Sequence, residues 1–258
     1  MDAPGYPKTT LNAVNRYRNR GKYAFEDVYP IFDAAPVLHV SFNDPSADHA
    51  QSYPYILPMF GCTGSYRQDS ADRAIYLHGY ISSKFFREAN ESTEQDGLKI
   101  CVSATLLDGL VLALTPNHHS CNYRSAIAYG EAHLVTDEGE RFYAMELITN
   151  NILPGRWENT RIPPTKAELA ATGIVRVDVK TASAKVRAGT TGEDRNDLKD
   201  ESLRKRVWTG VIPAWTQWGA PVAAPTDRMD GVPDYIGGWI RDENEKSEAY
   251  ALGAAKPV

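Results

Sequence analysis

From Tyr123 to Val135 the side chains alternate, with Ala126, Ala128, Gly130 and Ala132 on one face and Ile127, Tyr129, Glu131 and His133 on the other. Only an extended chain puts every second residue on the same side. One face of this strand is thin, so another layer can approach its backbone closely. Such a strand commits the chain to a sheet, and other segments supply neighbours. Val37–Phe42, Tyr53–Phe60, Ala74–Leu77, Leu98–Thr105, Leu110–Leu114, Ile174–Val179 and Val207–Pro213 all read as strands. Pro54 and Pro58 cannot donate to a ladder, which predicts an edge or a bulge for Tyr53–Phe60. Asp108-Gly109 predicts a hairpin, and Asn43–Asp48 has turn chemistry. Helical spacing appears at Phe25–Ala34, stopped by Pro36. It recurs at Glu138–Ile152, with Phe142, Met145, Leu147, Ile148 and Ile152 as the apolar stripe and Pro154-Gly155 at its end. Thr165 caps a short helix over Lys166–Ala171. A polar excursion begins at Ser183–Arg187, and 194–205 is rich in charge. Strands and crossover helices do not alternate, and no GxGxxG follows the first strand. The pattern predicts a mainly β antiparallel barrel with helical decoration, not a doubly wound sheet.

Composition removes several classes of function. With 258 residues, 42% hydrophobic and 24% charged, the chain is ordinary for a globular protein. A net charge of −5 argues against nucleic acid and anionic membranes as partners. No apolar run approaches the roughly 20 residues that span a bilayer. Met1–Pro7 has no basic or apolar leader character, so the expected location is cytoplasmic. Cys62, Cys101 and Cys121 are scattered and odd in number, which predicts free thiols in a reducing compartment. Asn90-Glu91-Ser92 is a sequon without a secretory context. His118-His119 lacks the additional ligands that a metal site needs, so no metal is expected. There is no GxSxG elbow for a serine hydrolase.

One stretch carries chemistry. Ala74-Ile75-Tyr76-Leu77 runs as a buried strand, breaks at Gly79, and meets Ser82 in a cap position before Lys84-Phe85-Phe86-Arg87-Glu88-Ala89. A helix start there offers free backbone N–H groups, and two hydroxyls and an ammonium stand beside them. That set suits a phosphate, although a plain strand–turn–helix corner reads the same way. Arg16, Arg18, Arg20 and Lys22 form a basic cluster around Gly21, read as a solvated loop, with Arg20 also a candidate phosphate contact.

Several segments occur together in one order: RYRNRGKY, VLHVSF, PYILPM, IYLHGYISSK, VSATLLDGLVLA, HHSCNYRSAIAYGEA, PGRW, ASAKVRAG and VWTGVIP. As a set they resemble the flavin-nucleotide-binding branch of the pyridoxamine 5′-phosphate oxidase-like split-barrel family, whose superfamily includes 5-nitroimidazole reductases. The resemblance covers residues 7–213. Two positions depart from it: Cys121 stands where a methionine is expected before Asn-Tyr-Arg-Ser, and Ala24 where relatives carry aspartate.

The resemblance implies a six-stranded antiparallel split β-barrel of the FMN-binding type. It also implies a homodimer with flavin at the subunit interface. In that arrangement Ile56, Leu57, Pro58 and Met59 border the isoalloxazine. His78 and Gly79 lie where the strand meets the phosphate, and Ser82, Ser83 and Lys84 hold it. Tyr123, Arg124 and Ser125 complete the site, with Arg124 as a forked phosphate contact or else an interface salt bridge. Trp208 covers the ring from a second copy or packs in the dimer core. The expected cofactor is FMN, with FAD as the alternative and heme, for which His39, His78, His118 and His119 are available, behind both. The expected activity is a flavin-dependent oxidoreductase acting on a small molecule. Its donor is NAD(P)H or a reduced deazaflavin, and no catalytic side chain is assigned. The rival is a non-enzymatic flavin or heme carrier or sensor. The domains read as an arm at 1–14, the barrel at 15–213, and an irregular extension at 214–258. In that extension Trp215, Trp218, Tyr235, Trp239 and Ile240 are expected to pack on the barrel or a partner, and Asp242–Glu245 to be mobile.

Overall fold

The computed structural model describes residues 3–44, 53–67, 73–92 and 96–257. The turn expected at Asn43–Asp48 lies outside them from residue 45 onward. The strands are β1 (Gly21–Lys22), β2 (Leu38–Phe42), β3 (Tyr55–Met59), β4 (Gly61–Gly64), β5 (Ala74–Tyr80), β6 (Leu98–Leu112), β7 (Ser120–Leu134), β8 (Thr172–Arg187) and β9 (Gly210–Pro213). The helices are α1 (Phe25–Ala34), α2 (Lys84–Glu91), α3 (Glu138–Ile152), α4 (Lys166–Ala171), α5 (Glu201–Arg206) and α6 (Asp234–Ala254).

All nine strands join one mainly antiparallel sheet in the order β3-β2-β6-β7-β8-β5-β4, with β1 on β8 and β9 on β6. The sheet is not closed, and it has more strands than the six expected. Its path ends at β3 and β4, which only Phe60 separates. One residue is too few for a hairpin, so the two strands are successive parts of a bent run and not ladder partners. Pro58, with no N–H, sits in β3 on the sheet's edge, as its chemistry requires.

The chain forms two compact units. The first contains the residues up to Thr105 together with Ser125–Ala184, and the second contains Leu106–Arg124 and the residues from Lys185 onward. In the first, α3 lays Ala144 and Ile148 onto Cys62, Ala74, Tyr76 and Ile174. Phe86 of α2 fills the space above two glycines: a Cβ on Gly79 would stand 2.7 Å from its ring, and one on Gly173 2.4 Å. The arm before α1 is packed. Asn12 is buried and donates to the carbonyls of Pro7 and Ala182, both at 3.0 Å. Ala24, at the N-cap of α1, has no side chain to cap with, and the Pro4 carbonyl accepts the Phe25 N–H at 2.9 Å instead.

The second unit corrects three expectations. The hairpin at Asp108-Gly109 does not form, and β6 runs straight through it. Asp108 is buried there, and Gly109 pairs with Pro213 of β9, whose Ile212 carbonyl would stand 2.9 Å from a Cβ. The excursion read from Ser183 is the end of β8. The irregular tail contains α6, a helix of 21 residues. Asp242–Glu245 lie inside it, and Asn244 bonds both backbone groups of Trp218, accepting at 2.7 Å and donating at 2.9 Å. Its far end is tied by a buried group. The Ala254 carbonyl accepts from Gly189 N at 2.7 Å and from Asn122 Nδ2 at 2.9 Å, and Arg187 donates to Asn122 Oδ1.

Candidate functional site

In the first unit the edge strand β3 meets the turn from β5 into α2. Tyr55 of β3 accepts a hydrogen bond at 3.1 Å from Lys84 Nζ, the first residue of α2. Met59 Cε would lie 3.7 Å from a Cβ on Gly79. Two contacts thus bring β3 to the β5–α2 turn, Tyr55 to Lys84 and Met59 to Gly79. Ile56 is 64% exposed and Phe60 47% exposed, an apolar edge of the kind a flat ring can lie on.

The cap differs by one residue from expectation. Ser83, not Ser82, is the N-cap of α2, and its side chain makes no capping bond. The Ser83 N–H donates to Tyr80 O and the Ile81 N–H to Ala171 O, which fixes the turn. The first-turn amides of α2 have no acceptor within the helix.

His78 ends the buried part of β5. Its ring lies 6.2 Å from that of Phe60, at 29°. Its Nδ1 is sealed from water with no hydrogen-bond partner among the described residues. Burial holds its pKa below the ordinary histidine value, and the Phe60 backbone offsets part of this. A partly buried imidazole thus sits beside the apolar edge, against the Phe60 ring.

Lys84 is engaged. Its ammonium donates to Asp44 Oδ2 at 2.5 Å as well as to Tyr55. The bonds to Asp44 and then Tyr55 hold its pKa above the ordinary lysine value. Asp44 and Tyr55 were not assigned to the site from sequence. Tyr55 stood within PYILPM, whereas nothing local to Asn43-Asp44 marks a lysine partner.

Of the remaining expected residues, Ser125 belongs to the first unit, while Tyr123, Arg124 and Trp208 belong to the second. There the Arg124 fork is already filled. Nε and Nη2 donate to the two oxygens of Asp108 at 3.1 and 2.7 Å, and the guanidinium lies 3.7 Å from the centre of the Tyr250 ring. Trp208 is 64% exposed. In the first unit Arg20 lies 4.1 Å over the Tyr17 ring, consistent with a local, solvated cluster. His119 Nδ1 accepts from Ala113 N at 2.9 Å, and His118 Nδ1 is 3.3 Å from Thr115 Oγ1. Among the described residues no group of three or more His, Cys, Asp or Glu is placed to hold a metal ion. Cys62 is buried, and burial next to Asp33 pushes its thiol up to about 12, which makes it inert. No helix among the described residues is long and apolar enough to cross a membrane.

Residues 25–186 match the model of the family described as Pyridoxamine 5'-phosphate oxidase. No curated protein matches the sequence. Among solved structures, the flavocytochrome Anf3 from Azotobacter vinelandii is 28% identical, with 92% of this chain and 98% of that one covered and a TM-score of 0.73. The FAD and heme binding protein from Mycobacterium smegmatis is 26% identical, with 85% and 96% covered and a TM-score of 0.69. A putative 5-nitroimidazole antibiotic resistance protein from Bacteroides thetaiotaomicron is 18% identical, with 63% and 83% covered and a TM-score of 0.45.

Proposed function

Since the chain belongs to the pyridoxamine 5′-phosphate oxidase family, we propose that it is a flavin-dependent oxidoreductase acting on a small molecule, with its flavin at the meeting of β3 and α2. One observation carries the reading: the exposed apolar edge at Ile56 and the uncapped helix start at Ser83 are joined through the Tyr55–Lys84 contact. A ring needs the first and a phosphate the second.

The flavin, when bound, supplies the electron transfer. The chain supplies position. Ile56, Leu57, Pro58 and Met59 border the ring plane. Ser82, Ser83, Lys84 and the first amides of α2 take the phosphate. His78 stays neutral and offers Nδ1 as an acceptor. In this reading two copies of the chain face each other across the flavin, and the exposed Trp208 is available to the second copy.

The likeness to a flavocytochrome and to an FAD and heme binding protein favours heme as a second redox group. The histidines differ in fitness for it. An Nδ1 that accepts an amide N–H puts the ring proton of a neutral imidazole on Nε2, so His119 has no lone pair free for iron. His118 can donate from Nδ1 to Thr115 and keep Nε2 open, the arrangement usual for a ligating histidine. His39 and His78 are the other candidates among those expected.

The test is the visible spectrum of the purified chain after incubation with flavin and hemin. The expected result is flavin absorbance that a nicotinamide donor bleaches and air restores, with a Soret band beside it. Absence of retained flavin overturns the function. Flavin without a Soret band leaves the oxidoreductase and removes the heme. A monomeric mass in the flavin-loaded protein removes the dimer.

A further inference from the structure

We infer that the sheet face carrying Ile56 holds a second binding site, a groove over β2, β6, β7 and β8 that takes a planar apolar molecule with one negative charge, such as an aromatic carboxylate. Binding in the groove stands without flavin. Its role as the seat of the small molecule in the proposed reaction rests on the flavin reading above.

The strand register places the groove. Ile56 of β3 pairs with Ser41 of β2, and Ser41 pairs with Cys101 of β6. Residues paired directly across an antiparallel ladder share a face, so these three lie in one row. Ser41 and Cys101 line the groove, and Tyr129 of β7 lines it with them. Neighbouring strands are about 5 Å apart, so the groove begins one strand in from the edge at Ile56. Its volume is about 390 Å³, within the roughly 300–1,000 Å³ usual for small-molecule sites. Leu11 of the N-terminal arm lines it too and remains 56% exposed. The arm is fixed there, because the next residue, Asn12, is buried and bonds the Ala182 carbonyl at 3.0 Å. Leu11, Ile100 and the Tyr129 ring give a flat molecule its apolar surface.

Charge sets the rest of the ligand. Lys99, Glu131 and Lys180 line the groove, and two ammoniums against one carboxylate leave one net positive charge. Lys180 Nζ is 2.9 Å from Glu131 Oε2, so Lys99 supplies the excess. Asp178, which also acts on Lys180, is taken up by Arg176 at 2.7 Å and lies 3.8 Å from His133. Cys101 and Tyr129 add no charge at neutral pH. Burial pushes both pKa values up, and the nearby Cys101 raises that of Tyr129 further. One carboxylate on the ligand balances the lining, and a second would stand among apolar side chains without a counter-charge.

The experiment titrates the full chain with naphthoate and with naphthalenemethanol, its neutral counterpart, by calorimetry. Naphthoate is expected to bind about tenfold more tightly. Lys99→Gln, at an exposed position, is expected to weaken naphthoate by about tenfold and to leave naphthalenemethanol within about twofold. Glu131→Gln removes the one negative charge and is expected to tighten naphthoate by about threefold. Naphthoate at about ten times its Kd should also slow alkylation of Cys101 by iodoacetamide by roughly tenfold. Cys121, in the second unit, is the control whose rate should not move. No binding of naphthoate, equal affinity for both compounds, or an unchanged rate at Cys101 overturns the proposal. On the flavin-loaded chain, naphthoate should shift the visible bands of the flavin. Binding without that shift removes the groove from the reaction. A chain that retains no flavin overturns the flavin reading, and the Lys99 and Cys101 results still decide the groove.

Discussion

Lys84 and Arg124 each hold a carboxylate, yet the two pairs are built for different ends. Arg124 grips both oxygens of Asp108, whose side chain is 3% exposed, and the Tyr250 ring of α6 covers the guanidinium. Lys84 meets Asp44 at one oxygen, and its side chain is 33% exposed beside an open helix start. A fork locks two planar groups, whereas a single ammonium can turn toward a new acceptor without moving its stem. The first pair therefore belongs to the architecture of the second unit. The second pair is one that a ligand can enter. The same residue type, a cation assigned to phosphate, thus divides into a fixture and a working group according to what surrounds it.

The widest test of the fixture is a chain ended after Pro213. That chain loses the Ala254 carbonyl, which leaves the buried Gly189 N–H without its acceptor and Asn122 Nδ2 with the Gly189 carbonyl alone, and it bares the Arg124 guanidinium. Each buried polar group left unsatisfied costs about 1–3 kcal/mol. At 2–4 °C per kcal/mol for a chain of this size, the melting temperature should drop by about 2–12 °C from the Gly189 N–H alone. An unmoved melting curve would make α6 a mere appendage and remove the contrast between the pairs.

Arg124→Met asks the same question of the pair alone. It strands Asp108, which is buried, and should lower stability in urea by about 3 kcal/mol. Flavin affinity of the folded fraction should stay within about twofold if Arg124 is purely a fixture. A tenfold loss of affinity with intact stability would instead return the Arg124 fork to the flavin phosphate.

Lys84→Ala is the mirror image. Losing a charge-assisted contact should weaken flavin binding by roughly ten- to a hundredfold, measured by flavin fluorescence. Melting should fall by less than in Arg124→Met, since the Lys84 side chain is 33% exposed and Asp44 12%, against 23% and 3% for Arg124 and Asp108. A variant that melts early and binds flavin normally would move Lys84 into the class of Arg124.

These distinctions mark where sequence reasoning reaches and where it stops. Helices α1, α3 and α4 fall at the residues their periodicity and caps indicated, because local signals suffice there. At α4 the Thr165–Glu168 capping box is complete. The meeting of β3 with the β5–α2 turn was legible through the ordered family segments. What escaped depends on distant partners. Asp108-Gly109 has hairpin chemistry, yet β9 supplies a ladder partner far along the chain, Pro213 for Gly109, and the strand continues through the dipeptide. The stretch 214–258 was judged as one composition. Three of its four prolines precede Asp234, and beyond it Ile236, Trp239, Ile240, Tyr250, Ala251 and Ala254 recur at helical spacing. Asp44 and Asp108, which give the two cations opposite roles, are ordinary acidic residues until the fold sets them in place.

The smallest effect expected concerns His78, whose ring has no charged partner among the described residues. Its folded pKa lies below the ordinary value of 6.5, chiefly through burial. In the pH range below about 6.5 the unfolded chain therefore binds more protons at this residue than the folded one does. Stability then rises with pH across that window and is lost on acidification from 6.5 downward. Two thermal scans, at pH 7.5 and pH 5.5, should show the unaltered chain losing a few degrees more than His78→Gln, at about 1.4 kcal/mol for each unit of displacement. The substitution removes the titrating group and retains a polar side chain of similar reach. Bound flavin should widen the difference if its ring supplies Nδ1 with a donor, because a hydrogen bond to the neutral imidazole disfavours protonation further and lowers the folded pKa more. If flavin leaves the His78-dependent shift as it was, the ring lies elsewhere along β3, and the lone pair at Nδ1 is simply sealed in packing against Phe60.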